Sequence, residues 1–195
     1  MLENLVNLPL LWYNRHIEIC IMPSNKASST DNQQERLEGW IVGFVDGEGC
    51  FSVSIIKNST TKNGWQLFPE FVVTQGQKSV DVLQTIKKYF GCGNIYINNR
   101  KDNHRENLCR YCVRSIHELS EKIIPFFQKN QLRTAKRKDF EKFVSIIEMI
   151  KKKKHFNQKG MVKIAQIIQE MNRKVPARFL ESSETIRQPV SNNRR

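Results

Sequence analysis

Glycine recurs every four residues through an apolar stretch of this chain, at Gly39, Gly43 and Gly47, and the stretch ends in two carboxylates, Asp46 and Glu48. A helix places all three glycines on one face. Each costs about 1 kcal/mol relative to alanine in a helix interior, so three together require a compensating contact. A stripe of small residues supplies one, because it lets a second helix approach almost to backbone contact. Trp40 and Phe44, beside the stripe, are assigned to the same interface. At the far end, the last carbonyls of such a helix have no intrahelical partners and carry the negative end of its dipole. With Asp46 and Glu48 beside them, they suit a hard divalent cation bound through oxygen.

The rest of the chain bounds what this helix serves. Its 195 residues allow one well-packed domain with tails. Thirty-two Lys and Arg against 19 Asp and Glu give a formal net charge of +13, which points to a polyanionic partner, nucleic acid by default. A basic membrane-surface protein fits less well, since no long amphipathic basic helix carries aromatics on its apolar face. The five cysteines are odd in number and follow no secretory signal, which places the chain in a reducing compartment and not among secreted proteins. Cys109-Arg-Tyr-Cys112 has zinc-like spacing but lacks a second pair, having only Cys92, His104 and His117 nearby. Reduced structural cysteines are the expectation.

Residues 5–22 are apolar but interrupted by Asn7, Pro9, Asn14, Arg15, His16 and Glu18, so they read as neither a membrane span nor a signal core. A polar linker over residues 24–36 follows. The expected organisation is an extension and linker over 1–36, a folded domain over 37–187 and a basic tail over 188–195.

After the glycine helix, residues 50–58 alternate, with Phe51, Val53 and Ile55 on one face and Ser52 and Ser54 on the other. Asn63-Gly64 marks a turn, and residues 65–75 return as a strand with Leu67, Phe71 and Val73 facing a core. Its other face carries Gln66, Phe68, Glu70, Val72 and Thr74. Val82, Leu83, Ile86 and Phe90 keep helical spacing until Gly91-Cys92-Gly93 stops them. A second hairpin follows over 94–99 and 108–115. It puts Tyr96, Asn98, Arg110, Cys112 and Arg114 on a wet face and leaves Ile95, Ile97, Tyr111 and Val113 for the core. Amphipathic helices are expected over 116–128, 136–151 and 161–171. The order αββαββα, continued by helices, predicts an α+β domain with a four-stranded antiparallel sheet and its helices on one face. The opposite face, rich in amides, hydroxyls and arginines, has the chemistry that reads base edges and phosphates.

The segment Ile41-Val42-Gly43-Phe44-Val45-Asp46-Gly47-Glu48-Gly49 resembles the LAGLIDADG motif of homing endonucleases, with Ile and Val at its first two positions and Glu as its final acid. The element order resembles that of the single-motif members over most of residues 39–187. Phe71-Val72-Val73-Thr74-Gln75 is similar to the end of the family's second strand, Lys136 falls at a basic pocket position, and Ser182 to Arg187 is similar to the family's C-terminal segment. Where close relatives place an Arg shortly after the Gln, this chain has Lys78.

The resemblance implies a sheet shaped as a DNA-binding saddle and a site-specific endonuclease that leaves short 3′ overhangs at a long pseudo-palindromic site. Because the chain has one motif, it also implies a homodimer. Glu48 and the Gly47 carbonyl would hold Mg²⁺, with Mn²⁺ able to substitute; Gln75 would orient the attacking water, and Lys136 and Lys78 would stabilise negative charge. Asp46 is expected to be structural. Readout is assigned to Ser52, Ser54, Gln66, Glu70, Thr74, Tyr96, Asn98, Arg100, Arg110 and Arg114, and Arg178 to the DNA backbone. The setting implied is a group I intron of a chloroplast, mitochondrial or prokaryotic genome. Two other functions fit the same basic fold: a maturase acting on intron RNA, and a DNA-binding regulator that does not cut.

Overall fold

The computed structural model describes residues 29–61, 64–98 and 106–171. Helix α1 (Ser29–Glu48) leads directly into strand β1 (Gly49–Lys57), which turns back as β2 (Trp65–Gly76). A single 3₁₀ turn and α2 (Val80–Phe90) cross to the second hairpin, β3 (Asn94–Asn98) and β4 (Leu108–Val113). Then come α3 (Ile116–Glu118), a π-helical stretch at Leu119–Ile123, α4 (Ile124–Lys129), α5 (Lys136–Lys151) and α6 (Gln158–Gln169). The π stretch lies just ahead of Pro125, which has no N–H to continue an α-helical ladder. Among the described residues no helix is long and apolar enough to cross a membrane.

α1 starts inside the segment expected to be linker. Its first residues, Ser-Thr-Asp-Asn-Gln-Gln-Glu-Arg, place cap-forming side chains ahead of good helix formers, so the helix gains two turns before the apolar residues begin.

The four strands form one antiparallel sheet in the order β1-β2-β4-β3. Phe51 faces Phe71 across the first hairpin, and their rings stack at 5.0 Å. Phe127 and Phe140 meet Phe51 edge-on at 5.4 and 5.1 Å, which ties α4 and α5 to the sheet. Each such buried ring contributes about 1.5–3 kcal/mol through area alone. Ile41 and Val45 bring α1 into the same core with no exposed surface.

Glu38, one turn before them on the same side of α1, is 6% exposed. Its carboxylate accepts from Tyr89 Oη at 2.8 Å, Lys129 Nζ and Asn130 Nδ2 at 3.2 Å, and Gln34 Nε2 at 3.3 Å. Burial alone raises its pKa, but these donors outweigh that and hold it below the usual carboxylate value. α1 is thereby fastened to α2 and to the end of α4. The spacing Glu38, Ile41, Val45 puts this acid on the buried face, a signal visible in the sequence once the helix is extended back past residue 37.

Ile97, assigned to the core from strand alternation, is 57% exposed. β3 is the edge strand, and Ile95 reaches the core while Ile97 lies beyond it. At the start of β3, Gly93 has φ +72°, and a Cβ there would lie 2.7 Å from the Cys112 carbonyl, so the hairpin closes only with glycine. Cys109 and Cys112 fall at odd and even positions of β4 and point to opposite faces, a geometry that cannot join them on one metal ion.

Candidate active site and nucleic-acid interface

The end of α1 is stitched to the start of α5 in both directions. Asp46 accepts from the backbone N–H of Arg133 at 2.7 Å and from the N–H and Oγ1 of Thr134 at 3.3 and 2.8 Å. Lys136 reaches back and donates from Nζ to the carbonyls of Val45 at 2.9 Å and Gly47 at 3.2 Å. Each helix end therefore receives the charge its dipole favours, an anion at the N-terminus of α5 and a cation at the C-terminus of α1. Burial pushes the Lys136 ammonium below the usual lysine range, and nearby acidic groups, Asp46 and Glu48 among them, offset only part of that. Hydrogen bonds to its carboxylate outweigh burial at Asp46, whose pKa is lowered.

Glu48 differs from Asp46 in every respect. It is exposed, and among the described residues no hydrogen bond or salt bridge engages it. A carboxylate at the negative end of a helix is unfavourable for the isolated chain, and a cation there would relieve it. The Glu48 carboxylate and the Gly47 carbonyl are the two oxygen donors here that could hold part of a divalent ion's shell. The ammonium of Lys136 already donates to that carbonyl, so an ion there would share the oxygen's second lone pair with it or displace it. One carboxylate and one carbonyl suit Mg²⁺ when substrate phosphate and a further carboxylate complete the shell. No group of three or more His, Cys, Asp or Glu able to hold a metal occurs among the described residues.

Gln75 lies on β2 two residues past the Val73–Gly49 pair, at the level where α1 gives onto β1. Lys78 follows in an exposed turn, with its backbone N–H donated to Glu106 Oε2 at 3.3 Å. Among the described residues no hydrogen bond or ion pair joins its ammonium to Glu48 or Lys136.

The glycine face of α1 is bare. Among the described residues a Cβ added at Gly39, Gly43 or Gly47 would meet nothing within 4 Å, and none of the three has a positive φ, so none of those residues calls for glycine there. Gly49 contrasts with them: a Cβ there would lie 2.6 Å from Val45 Cγ1. Trp40, 39% exposed, stacks on Phe44 at 5.3 Å along the same helix.

On the sheet, the pairings Ser52–Glu70, Thr74–Arg110 and Tyr96–Arg110 gather the expected readers on the face away from the helices. Gln66 is held by Asn58, whose Nδ2 donates to its Oε1 at 2.6 Å, a partner that alternation gave no reason to single out. Val72 and Cys112 pair at the centre of this face and are only 5% and 4% exposed, so it is not uniformly wet. Glu70, expected to meet bases, instead accepts from Arg110 Nη2 at 3.0 Å and Arg114 Nε at 2.5 Å. Arg114 stands level with Glu70 by continuation of the Phe71–Val113 pairing, and Arg110, paired with Thr74, reaches it along the same face. Arg100, Arg178 and the segment from Ser182 to Arg187 lie outside the described residues.

A family model described as LAGLIDADG endonuclease matches residues 41–147, from the glycine helix through most of α5. The chain belongs to the LAGLIDADG endonuclease family. A solved homing endonuclease, I-TnaI, is 37% identical, with a TM-score of 0.69 over 77% of this chain and 97% of that one. The I-LtrWI LAGLIDADG homing endonuclease, solved bound to its target DNA, is 35% identical with a TM-score of 0.70, covering 76% of this chain and 48% of that one. A probable intron-encoded endonuclease of Neurospora crassa is 28% identical over 168 residues, 85% of this chain. This chain spans only 30% of that relative's length. Family membership accounts for the four-stranded antiparallel sheet and for its helices, as expected from the αββαββα order.

Proposed function

We propose that this LAGLIDADG protein is a site-specific homing endonuclease that acts as a homodimer on double-stranded DNA, hydrolysing one phosphodiester in each strand. The observation that carries the reading is Glu48: an exposed carboxylate at the end of the motif helix, without a hydrogen bond or ion pair among the described residues, beside a glycine face that those residues leave uncovered. Two copies joined along Gly39, Gly43 and Gly47 bring two such carboxylates together under the DNA. The match to I-LtrWI supports a second copy, since the matched region is about half of that longer chain.

Magnesium, or manganese in its place, would supply Lewis-acid stabilisation of the attacking and leaving oxygens. Glu48 and the Gly47 carbonyl hold it. Gln75 orients water at the end of β2. Lys136, lodged at the end of α1, lends positive charge to the phosphate as it becomes more negative, and Lys78 adds to the field from the neighbouring turn. The first turn of α5 sets Lys136, Arg137 and Lys138 beside Asp139, a surplus of cations at a positive helix end that Asp46 only partly offsets. That arrangement is unfavourable for an isolated helix and natural beside phosphates. A group I intron of an organellar or prokaryotic genome is the proposed setting, in line with the intron-encoded names of the relatives.

The test is cleavage of DNA spanning the intronless junction of the host gene. Linearisation with short 3′ overhangs in Mg²⁺, abolished by chelation, is the expected outcome; DNA that is bound but never cut in Mg²⁺ or Mn²⁺ would instead identify a regulator.

A further inference from the structure

Glu70 places a negative charge in the middle of the sheet face of a chain whose net charge is +13. On a surface that meets phosphates, a carboxylate opposes non-specific attraction. A glutamate reading a base directly would accept from the cytosine amino group. This one has both oxygens committed: Oε1 to Arg110 Nη2 at 3.0 Å and Oε2 to Arg114 Nε at 2.5 Å. Its side chain is 15% exposed, while those of Arg110 and Arg114 stand at 41% and 48%. The carboxylate lies low and the two guanidinium groups stand above it.

The way each arginine is held decides what it can still do. Arg114 spends its Nε–H on Glu70 and, among the described residues, keeps both terminal amino groups, which form the end-on fork of a guanidinium. Its plane is restricted from a second side, since Cζ lies 5.6 Å from the centroid of the Tyr96 ring. Arg110 spends one Nη2 proton and stays beside it. An end-on fork fixed in direction matches the O6 and N7 acceptors that guanine presents in the major groove.

We propose that Glu70 is a positioning residue that fixes Arg114 for bidentate recognition of a guanine at one position of each half-site. The proposal rests on the reading that this sheet face binds DNA. Its physical basis is pre-organisation: a free arginine loses rotamer freedom on meeting a base, and one already clamped loses less.

Selection of full-length protein on randomised DNA tests it. Wild type is expected to enrich guanine at one position per half-site, and Arg114→Ala to erase that preference. Glu70→Ala should weaken it by about tenfold, while affinity for unrelated duplex stays level or rises and its salt dependence steepens, because a negative charge has gone. Glu70→Gln keeps the shape and one acceptor and should fall between; melting temperatures establish that both variants fold. Full guanine preference in folded Glu70→Ala and Glu70→Gln would overturn the proposal, as would a wild-type preference indifferent to Arg114. Should Arg110→Ala and Arg114→Ala leave all DNA binding unchanged, the sheet itself is not the DNA surface.

Discussion

Glu48→Gln is expected to bind target DNA with undiminished affinity and to cut it at least about 10³-fold more slowly, a loss of about 4 kcal/mol of transition-state stabilisation. The substitution keeps size and removes only charge. Among the described residues Glu48 makes no hydrogen bond or ion pair, so the substitution removes only its longer-range attraction for Lys136. Affinity should even rise slightly, because a carboxylate facing phosphates opposes binding. Gel-shift and cleavage assays on one protein preparation separate the two effects. Rapid cutting by the variant would remove Glu48 from the chemistry and return attention to Asp46, although Asp46 is already occupied by Arg133 and Thr134.

Gly43→Leu should separate assembly from folding in the same way. Among the described residues nothing lies within 4 Å of a Cβ at this position, so they leave room for the substitution. Exchanging a helical glycine for leucine also favours the helix by nearly 1 kcal/mol. The isolated monomer is therefore expected to melt no lower than the wild-type monomer. A twofold contact built on close backbone approach would receive two leucines at once, each costing about 1–3 kcal/mol by overpacking. Dimer affinity should fall about 100-fold or more, and double-strand cutting with it. Sedimentation reads the mass directly. A stable dimer of Gly43→Leu would mean that the bare glycine face of α1 serves something else.

These two residues were legible in the sequence because glycine and carboxylate positions at helical spacing constrain backbone and charge whatever surrounds them. Period-two alternation located β1 and β2 to within a residue or two, and the spacing Phe140, Phe143, Ile147 marked α5. Alternation reports the face on which a side chain lies and not what covers that face. Ile97 alternates correctly, yet sits at the uncovered end of an edge strand. Nor does it report which charges meet. Glu70 reads as a base-contacting acid until β4 is aligned against β2, 40 residues away in sequence, and brings Arg110 and Arg114 to its two oxygens. Lys136 was placed in the site by resemblance alone. Its position on the Gly47 carbonyl depends on the loop from Asn130 to Ala135 turning α5 back to the end of α1, a course set by Asp46 through Arg133 and Thr134. The two turns of α1 before Leu37 were hidden because helix-forming polar residues have the same composition as a linker.

On the proposed function, one chain holds half of a nuclease site. Mixed dimers test it most directly: wild-type and Glu48→Gln chains carrying different affinity tags, isolated through both tags in succession and assayed on target DNA in Mg²⁺. Loss of double-strand breaks in the mixed species is the result expected if two Glu48 carboxylates share the site. Cutting of both strands at the wild-type rate would contradict it, because each chain would then carry a complete active site.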